Sequence, residues 1–363
     1  MARKLRPDWL LFVVTLSLVI FGVVMVFSSS AVMAKLKFDN PNFFSFKQIV
    51  AAVIGLALMF VVMKVDYHLY QKPAVVFTLL SSAVALLVVV YFFATTRNTH
   101  RWIQLPYVSF QPSELAKLAV ILFLAYFLEK RKDQINSVQF TLAPISIIVG
   151  LLSVLIVFEP DLGTVVAIVL TVCALLYVAG LDMRWFAFPA VLSVPAFYIF
   201  VYLKPYRWDR IMAFLHPDAD PKGAGYHIGQ SLLSVGSGGI FGQGYMEGKI
   251  KLFFLPDGHT DFIFAVIGEE LGLIGACAVL LLFLVFLWRG LRASAKAPDR
   301  FGFYLALGIT MMVSIQAFIN MSVVLALVPT KGIPLPFLSY GGSSFVVMLA
   351  AVGVLLNVSQ QSS

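Results

Sequence analysis

Ten apolar runs succeed one another along the chain, at about Trp9–Ser30, Gln48–Met63, Ala74–Phe93, Ser113–Leu128, Thr141–Val157, Leu162–Gly180, Trp185–Tyr202, Phe264–Leu287, Phe303–Ala326 and Ser343–Asn357. A helix of about 20 apolar residues crosses roughly 30 Å of hydrocarbon. The pattern therefore predicts an all-α polytopic membrane protein of about ten transmembrane helices, forming one membrane domain over residues 1–363. Met1–Pro7 is basic, and no small-residue cleavage site convincingly ends the run after it, so the first run reads as a retained span rather than a signal peptide.

One polar stretch is long. Leu203–Ile263, between the seventh and eighth runs, is the one place where a sizeable extramembrane structure has room to form. Pro217 and Pro221 break helices there, while Ala224–Val235 predicts a short amphipathic helix at the interface. Gly236, Gly238, Gly239, Gly242 and Gly244 then permit closely packed backbone.

Lys and Arg in the short loops set the orientation. With a cytoplasmic N-terminus, the inside segments hold thirteen basic residues and the short outside loops six. That bias puts both termini in the cytoplasm and the long loop outside.

Composition agrees with the run pattern: 60% of the 363 residues are hydrophobic and 12% charged. The net charge of +8 lies between the apolar runs, where it sets topology and meets lipid headgroups, and it implies no nucleic-acid partner. Cys173 and Cys277 both fall inside predicted spans and give neither a disulfide framework nor a metal site. No P-loop, GxGxxG, GxSxG or HExxH is present, and the five histidines are scattered. No cofactor follows from these motifs, and a divalent cation is left open.

Candidate chemistry gathers at the outer ends of the runs. Leu255–Gly275 carries Asp257, Asp261, Glu269 and Glu270 beside His259. Charges next to hydrocarbon are costly and mark functional sites by default. Helix-start chemistry, with Thr260 as cap and Asp261 in the first turn, accounts for the same residues. In the stretch before the fourth run, Arg101 and Trp102 suit a lipid headgroup, a cation for phosphate beside an interfacial aromatic. Glu114 and Lys117, three residues apart, share a helix face and can pair, either for substrate or to hold two helices together. Glu159-Pro160-Asp161 reads first as an acidic helix-boundary turn. Val328–Ser344 breaks the helix with three prolines and three glycines and presents Lys331, Thr330, Ser339, Ser343 and Ser344, a candidate anion site. Irregular backbone at membrane depth belongs where it is protein-buried or lines a cavity.

The stretches LPDGHTDFIFAVIGEELGLIG, PTKGIPLPFLSYGGSS and HRWIQLPYVSFQPSELAKLA together resemble the SEDS family (shape, elongation, division and sporulation proteins), over essentially the whole chain. PTKG and HRWI resemble its division and sporulation branch. GAGYHI resembles the rod-elongation branch, which stays as the close alternative, and Asp257 stands where the family commonly has glutamate. The resemblance implies a ten-span glycosyltransferase of the bacterial cytoplasmic (inner) membrane. Such an enzyme polymerises the undecaprenyl-diphosphate-linked substrate lipid II into peptidoglycan and works with a class B penicillin-binding transpeptidase. It also implies that Asp261 is the catalytic aspartate and that Trp102, Glu114 and Lys117 belong to the site. Glu269 and Glu270 take no role from it and read as braces of the eighth span.

The implied reaction asks for a carboxylate to take the proton of an acceptor hydroxyl, here Asp261. It also asks for fixed cations at the departing diphosphate, for which Arg101, Lys117, Arg207, Arg210 and Lys331 are the candidates, with Ser343 as a further substrate-binding residue. A lipid II flippase is the alternative; it needs a charged path to both faces, whereas nearly all non-boundary charge here lies in the outer half. A scaffold that only recruits the transpeptidase leaves the carboxylate cluster unexplained.

Overall fold

The computed structural model describes residues 7–93, 100–104, 109–216, 224–250, 258–329 and 332–361. Each predicted span falls on a helix: α1 (Trp9–Phe38), α2 (Phe43–Lys64), α3 (Pro73–Val89), α4 (Pro112–Lys130), α5 (Ala143–Phe158), α6 (Leu162–Val178), α7 (Ala187–Phe197), α10 (Ile263–Ala295), α11 (Arg300–Val324) and α12 (Gly342–Gln360). Counting short flanking turns, eight helices among the described residues are long and apolar enough to cross a membrane; α6 is apolar but shorter. Within α4, Glu114 and Lys117 are buried inside the protein, where their cost is met by each other.

Several helices outrun their apolar runs because caps, not hydropathy, end them. Asp8 begins α1 by accepting from Leu11 N, and the left-handed Asp39 (φ 53°) ends it after Lys35 and Lys37, two cations on the negative pole of the helix dipole. Asp299 likewise starts α11 through Gly302 N. The termini meet on one face, where Asp8 N donates to Ser359 Oγ at 3.2 Å and Arg289 binds the Asp8 carboxylate at 2.9 and 2.5 Å.

α11 and α12 form the centre, packed by α2, α4, α6 and α10. α7 stands at the edge with no buried residue.

The long loop carries a helix where Ala224–Val235 predicts one. It holds α8 (Pro205–Leu215) and α9 (Ala224–Ser237), and α9 lies against α10. The buried side of α9 is Gly225, Ile228, Ser231 and Ser234, while Leu232 and Leu233 are exposed. Leu232 and Leu233 thus face away from the bundle, while Ile228, Val235 and the small residues pack inward; Ser231 Oγ donates to Val324 O at 2.8 Å.

The glycine-rich residues that follow repair a break in α10. Gly272 has φ 65°, a conformation that interrupts the helix and frees backbone groups on both sides. Gln243 N and Gly244 N donate to Glu269 O and Glu270 O at 2.9 and 3.1 Å, and Leu273 N and Ile274 N donate to Gly239 O and Ile240 O at 2.9 and 3.2 Å. All four freed groups find partners, as buried backbone requires. A span of about 20 residues counted back from Arg289 reaches Glu269, so this stitched loop sits at the membrane boundary opposite the termini.

Candidate active site

Asp261 occupies the turn that leads into α10, and the backbone around it is held carbonyl by carbonyl. His259 O accepts from Tyr340 N at 2.9 Å, Thr260 O from Ser339 Oγ at 2.5 Å, and Asp261 O from Asn320 Nδ2 at 2.8 Å. The donors belong to the 332–341 loop and to α11. That loop is itself pinned: Asn320 Nδ2 also donates to Ile333 O at 2.7 Å, and Gln316 Nε2 to Pro334 O at 2.9 Å. Gln48 of α2 donates to Ser339 O at 3.3 Å and accepts from Gly341 N at 3.4 Å. A Cβ added at Gly332 would come within 2.8 Å of Asp261 Oδ2, so a larger residue there would make the carboxylate shift.

The Glu114–Lys117 pair forms as the spacing predicts. Lys117 Nζ lies 2.9 Å from Glu114 Oε2, and both side chains are 3% exposed. Lys117 also donates to Gln316 Oε1 at 2.7 Å. The ammonium therefore has two acceptors in the protein interior, and through Gln316 it braces the loop behind Asp261. Ser343, at the start of α12, accepts from Gln111 N at 3.2 Å.

The arginines gather around the end of α5. Arg101 Nε donates to Glu159 O at 2.9 Å, and its terminal nitrogen binds Pro160 O. Arg207 of α8 donates to Phe200 O at 2.7 Å and reaches Val157 O at 3.5 Å. Burial lowers the Arg207 pKa, and the charges of Arg101 and Arg210 lower it further. Arg210 stacks on the Tyr206 ring at 4.5 Å. Trp102 is half-buried beside a small hairpin, β1 (Ile103–Gln104) with β2 (Ser109–Phe110). The two halves of the site touch at Ile333, where a Cβ on Gly163 of α6 would lie 2.5 Å from the Ile333 side chain. Lys331, Thr330 and Asp257 lie outside the described residues. Among the described residues, no three His, Cys, Asp or Glu side chains converge to hold a metal ion.

The sequence profile of the FtsW/RodA/SpoVE cell cycle proteins matches residues 8–363. The chain belongs to this family. The probable peptidoglycan glycosyltransferase FtsW of Geobacter sp. (strain M18) is 44% identical over 360 residues, covering 99% of this chain and 98% of that one. Stage V sporulation protein E of Bacillus subtilis (strain 168) is also 44% identical, covering 99% of each. Both names agree with the division and sporulation branch expected from PTKG and HRWI. Among solved structures, a peptidoglycan synthase complex that coordinates polymerisation and crosslinking has a chain with TM-score 0.80 at 27% identity, covering 97% of each chain. The rod shape determining protein RodA of Thermus thermophilus gives 0.72 at 25% identity, covering 98% of this chain and 97% of that one.

Within this FtsW/RodA/SpoVE frame, the acidic turn is more than a turn. Asp161 does start α6, accepting from Thr164 N at 3.2 Å and Thr164 Oγ1 at 2.8 Å, and it also accepts from Gln111 Nε2 at 3.3 Å. Glu159 is fully buried, and neither carboxyl oxygen has a hydrogen-bond partner among the described residues. Burial pushes its pKa up to about 8; Asp161 adds to the rise and Arg101 opposes it. Below the ordinary carboxyl range the group is neutral in both folded and unfolded chains. Between that range and about 8 unfolding releases a proton, so stability falls as pH rises through this window. Each pH unit of the window costs at most about 1.4 kcal/mol. Glu159→Gln is expected to flatten the dependence of thermal stability on pH between 5 and 8 and to raise stability at neutral pH. Parallel melting curves for the two proteins would contradict the buried, neutral carboxyl.

The residues that sequence reasoning missed are chiefly amides: Gln48, Gln316 and Asn320 sit in apolar runs and hold the 332–341 loop. Their signal was available, because a buried amide in a membrane span needs a partner.

Proposed function

We propose that the chain is a peptidoglycan glycosyltransferase that polymerises lipid II, with Asp261 as the general base. The proposal extends to its setting: the bacterial cytoplasmic membrane, both termini in the cytoplasm, Asp261 facing outward, and a class B penicillin-binding transpeptidase as partner. The observation that carries it is the presentation of Asp261. Three consecutive carbonyls around it are held, two by the irregular 332–341 loop and one by Asn320 of α11, and its side chain is half-buried. Fixed placement of this kind lowers the entropic cost of bringing a base to a bound hydroxyl.

In the reaction, the acceptor sugar hydroxyl attacks the anomeric carbon of the donor as Asp261 takes its proton. The bond to the diphosphate breaks, and the undecaprenyl diphosphate leaves with the electron pair. A single displacement inverts the donor's α-linkage to β. Arg101, Arg207 and Arg210 are the cations for the diphosphate, with Lys331 as a further candidate. A guanidinium has five donors; Arg101 uses part of its own on Glu159 O and Pro160 O of the turn and Arg207 on Phe200 O, so both are oriented and keep donors for phosphate oxygens. Trp102 and Ser343 complete the substrate side. Lys117 and Glu114 serve from behind as a strut. The buried charges Glu114, Lys117, Glu159, Asp161, Glu269 and Glu270 all lie at the Asp261 end of their helices, which favours a polymerase over a flippase.

Purified protein, with and without a class B partner, is expected to convert labelled lipid II into glycan chains; transbilayer movement of lipid II without chain formation would favour the flippase. For orientation, Tyr206→Cys in a background lacking Cys173 and Cys277 is expected to react with an impermeant thiol reagent in intact spheroplasts. Labelling only after lysis would reverse the topology.

A further inference from the structure

Asn320 of α11 is 1% exposed, and its amide meets two segments of chain at once. Nδ2 donates to Asp261 O at 2.8 Å and to Ile333 O at 2.7 Å. Carbonyl oxygens only accept, so the NH₂ has to face them, and both of its hydrogens are committed. The amide oxygen, by contrast, is buried with no hydrogen-bond partner among the described residues. An unpaired buried acceptor costs stability, so a leucine of similar size would serve packing better. What asparagine supplies here is the pair of donors.

The two carbonyls it joins are not arbitrary. Ile333 follows Gly332, and Gly332 lies against the Asp261 carboxylate, where a Cβ would come within 2.8 Å of Oδ2. One amide therefore holds both sides of that contact: the main chain that carries the carboxylate and the loop on which the carboxylate rests. We infer that Asn320 is a positioning residue for glycan polymerisation, setting, by tying Asp261 O to Ile333 O, where the Asp261 carboxylate meets the acceptor hydroxyl. This rests on the reading of Asp261 as the base. Tyr340 N and Ser339 Oγ hold the two preceding carbonyls, so loss of the amide frees the turn at its last point and leaves the rest tied.

A positioning group acts on reaction geometry, where a misplacement of about 1 Å costs on the order of 10²-fold in rate. Lipid II polymerisation by the full-length protein with its transpeptidase partner reads kcat and KM separately. Asn320→Leu keeps the volume and removes both donors. It is expected to lower kcat about 10- to 100-fold with KM within about twofold. Ser231→Ala is the stability control: it removes a buried hydrogen bond to α11 at Val324 O and is expected to lower the melting temperature with kcat unchanged. Gly332→Ala distinguishes positioning from packing. With the amide in place the added methyl pushes the carboxylate, and kcat is expected to fall about 10-fold. In the Asn320→Leu background the loop can give way, so the same change is expected to add about twofold or less.

Four results would overturn the inference: wild-type kcat in Asn320→Leu or in Gly332→Ala, a change confined to KM, an equal loss of kcat in Ser231→Ala, or effects of Asn320→Leu and Gly332→Ala that multiply in full. If Asn320→Leu does not fold, Asn320→Ser carries the test, because its hydroxyl can turn back to the carbonyl of Gln316. Wild-type kcat in that variant overturns the inference equally. Asp261→Asn run in parallel separates the two readings. Wild-type turnover there removes the base itself, whereas an inactive Asp261→Asn beside unaffected Asn320 variants removes only the positioning.

Discussion

Asp261→Asn is expected to fold, to co-purify with its transpeptidase partner, and to make glycan chains near background level. The three hydrogen bonds that hold this turn go to main-chain carbonyls of residues 259, 260 and 261, so replacing the side chain leaves the cradle intact. Asparagine has nearly the same size and meets the same glycine surface at Gly332. What it lacks is basicity, and general-base assistance is typically worth about 10²–10⁴ in rate. Asp257→Asn is the internal control: beside Pro256 and Gly258 it reads as a turn-shaping residue and is expected to keep a good part of the activity. Substantial polymerisation by Asp261→Asn sinks the assignment, and loss in Asp257→Asn alone moves the base four residues upstream.

Breaking the Glu114–Lys117 pair is expected to have the largest effect on stability. Both groups are 3% exposed, and removing one partner strands the other in a medium that cannot solvate it. Such losses run to about 3–5 kcal/mol for a fully buried pair. Lys117→Ala also takes the donor from Gln316 Oε1, loosening the amide that holds Pro334 O behind Asp261. Each single variant should thus lose thermal stability and activity together. Removing both partners should recover much of the stability, because no unpaired charge remains. Activity that returns with it marks the pair as a strut; activity that stays low assigns one of the two residues to the reaction. Unchanged melting temperatures in both single variants would show that the pair contributes nothing.

The spans were legible because hydropathy reports directly on hydrocarbon. Their ends were less so, since Asp8, Asp39 and Asp299 set them through hydrogen bonds and backbone conformation that average hydropathy does not register. The stitched loop was illegible for another reason. Its glycines show that close packing is allowed, but not that Gly272 breaks a helix 28 or more residues from the glycines that repair it, Gly239 and Gly244. In the site, charges against an apolar background flagged Asp261, Glu114 and Lys117; spacing predicted the Glu114–Lys117 pair, while Asp261 was set apart from the carboxylates beside it only by the family resemblance. A single amide in a span has no periodic partner in the sequence, so Gln48, Gln316 and Asn320 became meaningful only once the 332–341 loop was seen between them.

The place of α12 bears on how the protein is made. This helix leaves the ribosome after every other described one, yet it completes contacts that the first spans need. Asn357 accepts from Tyr67 N at 3.0 Å and donates to Met63 O at 2.7 Å, and Ser359 Oγ accepts from Asp8 N at 3.2 Å. During translation α1 and α2 therefore enter the lipid without their eventual neighbour. Gln48 has its partners Ser339 O and Gly341 N only once the 332–341 loop has been made. A chain arrested before Gly342 can pack α11 against α4, α6 and α10, but it leaves α2 without the helix it packs against most and Asn357 absent from Tyr67 N and Met63 O.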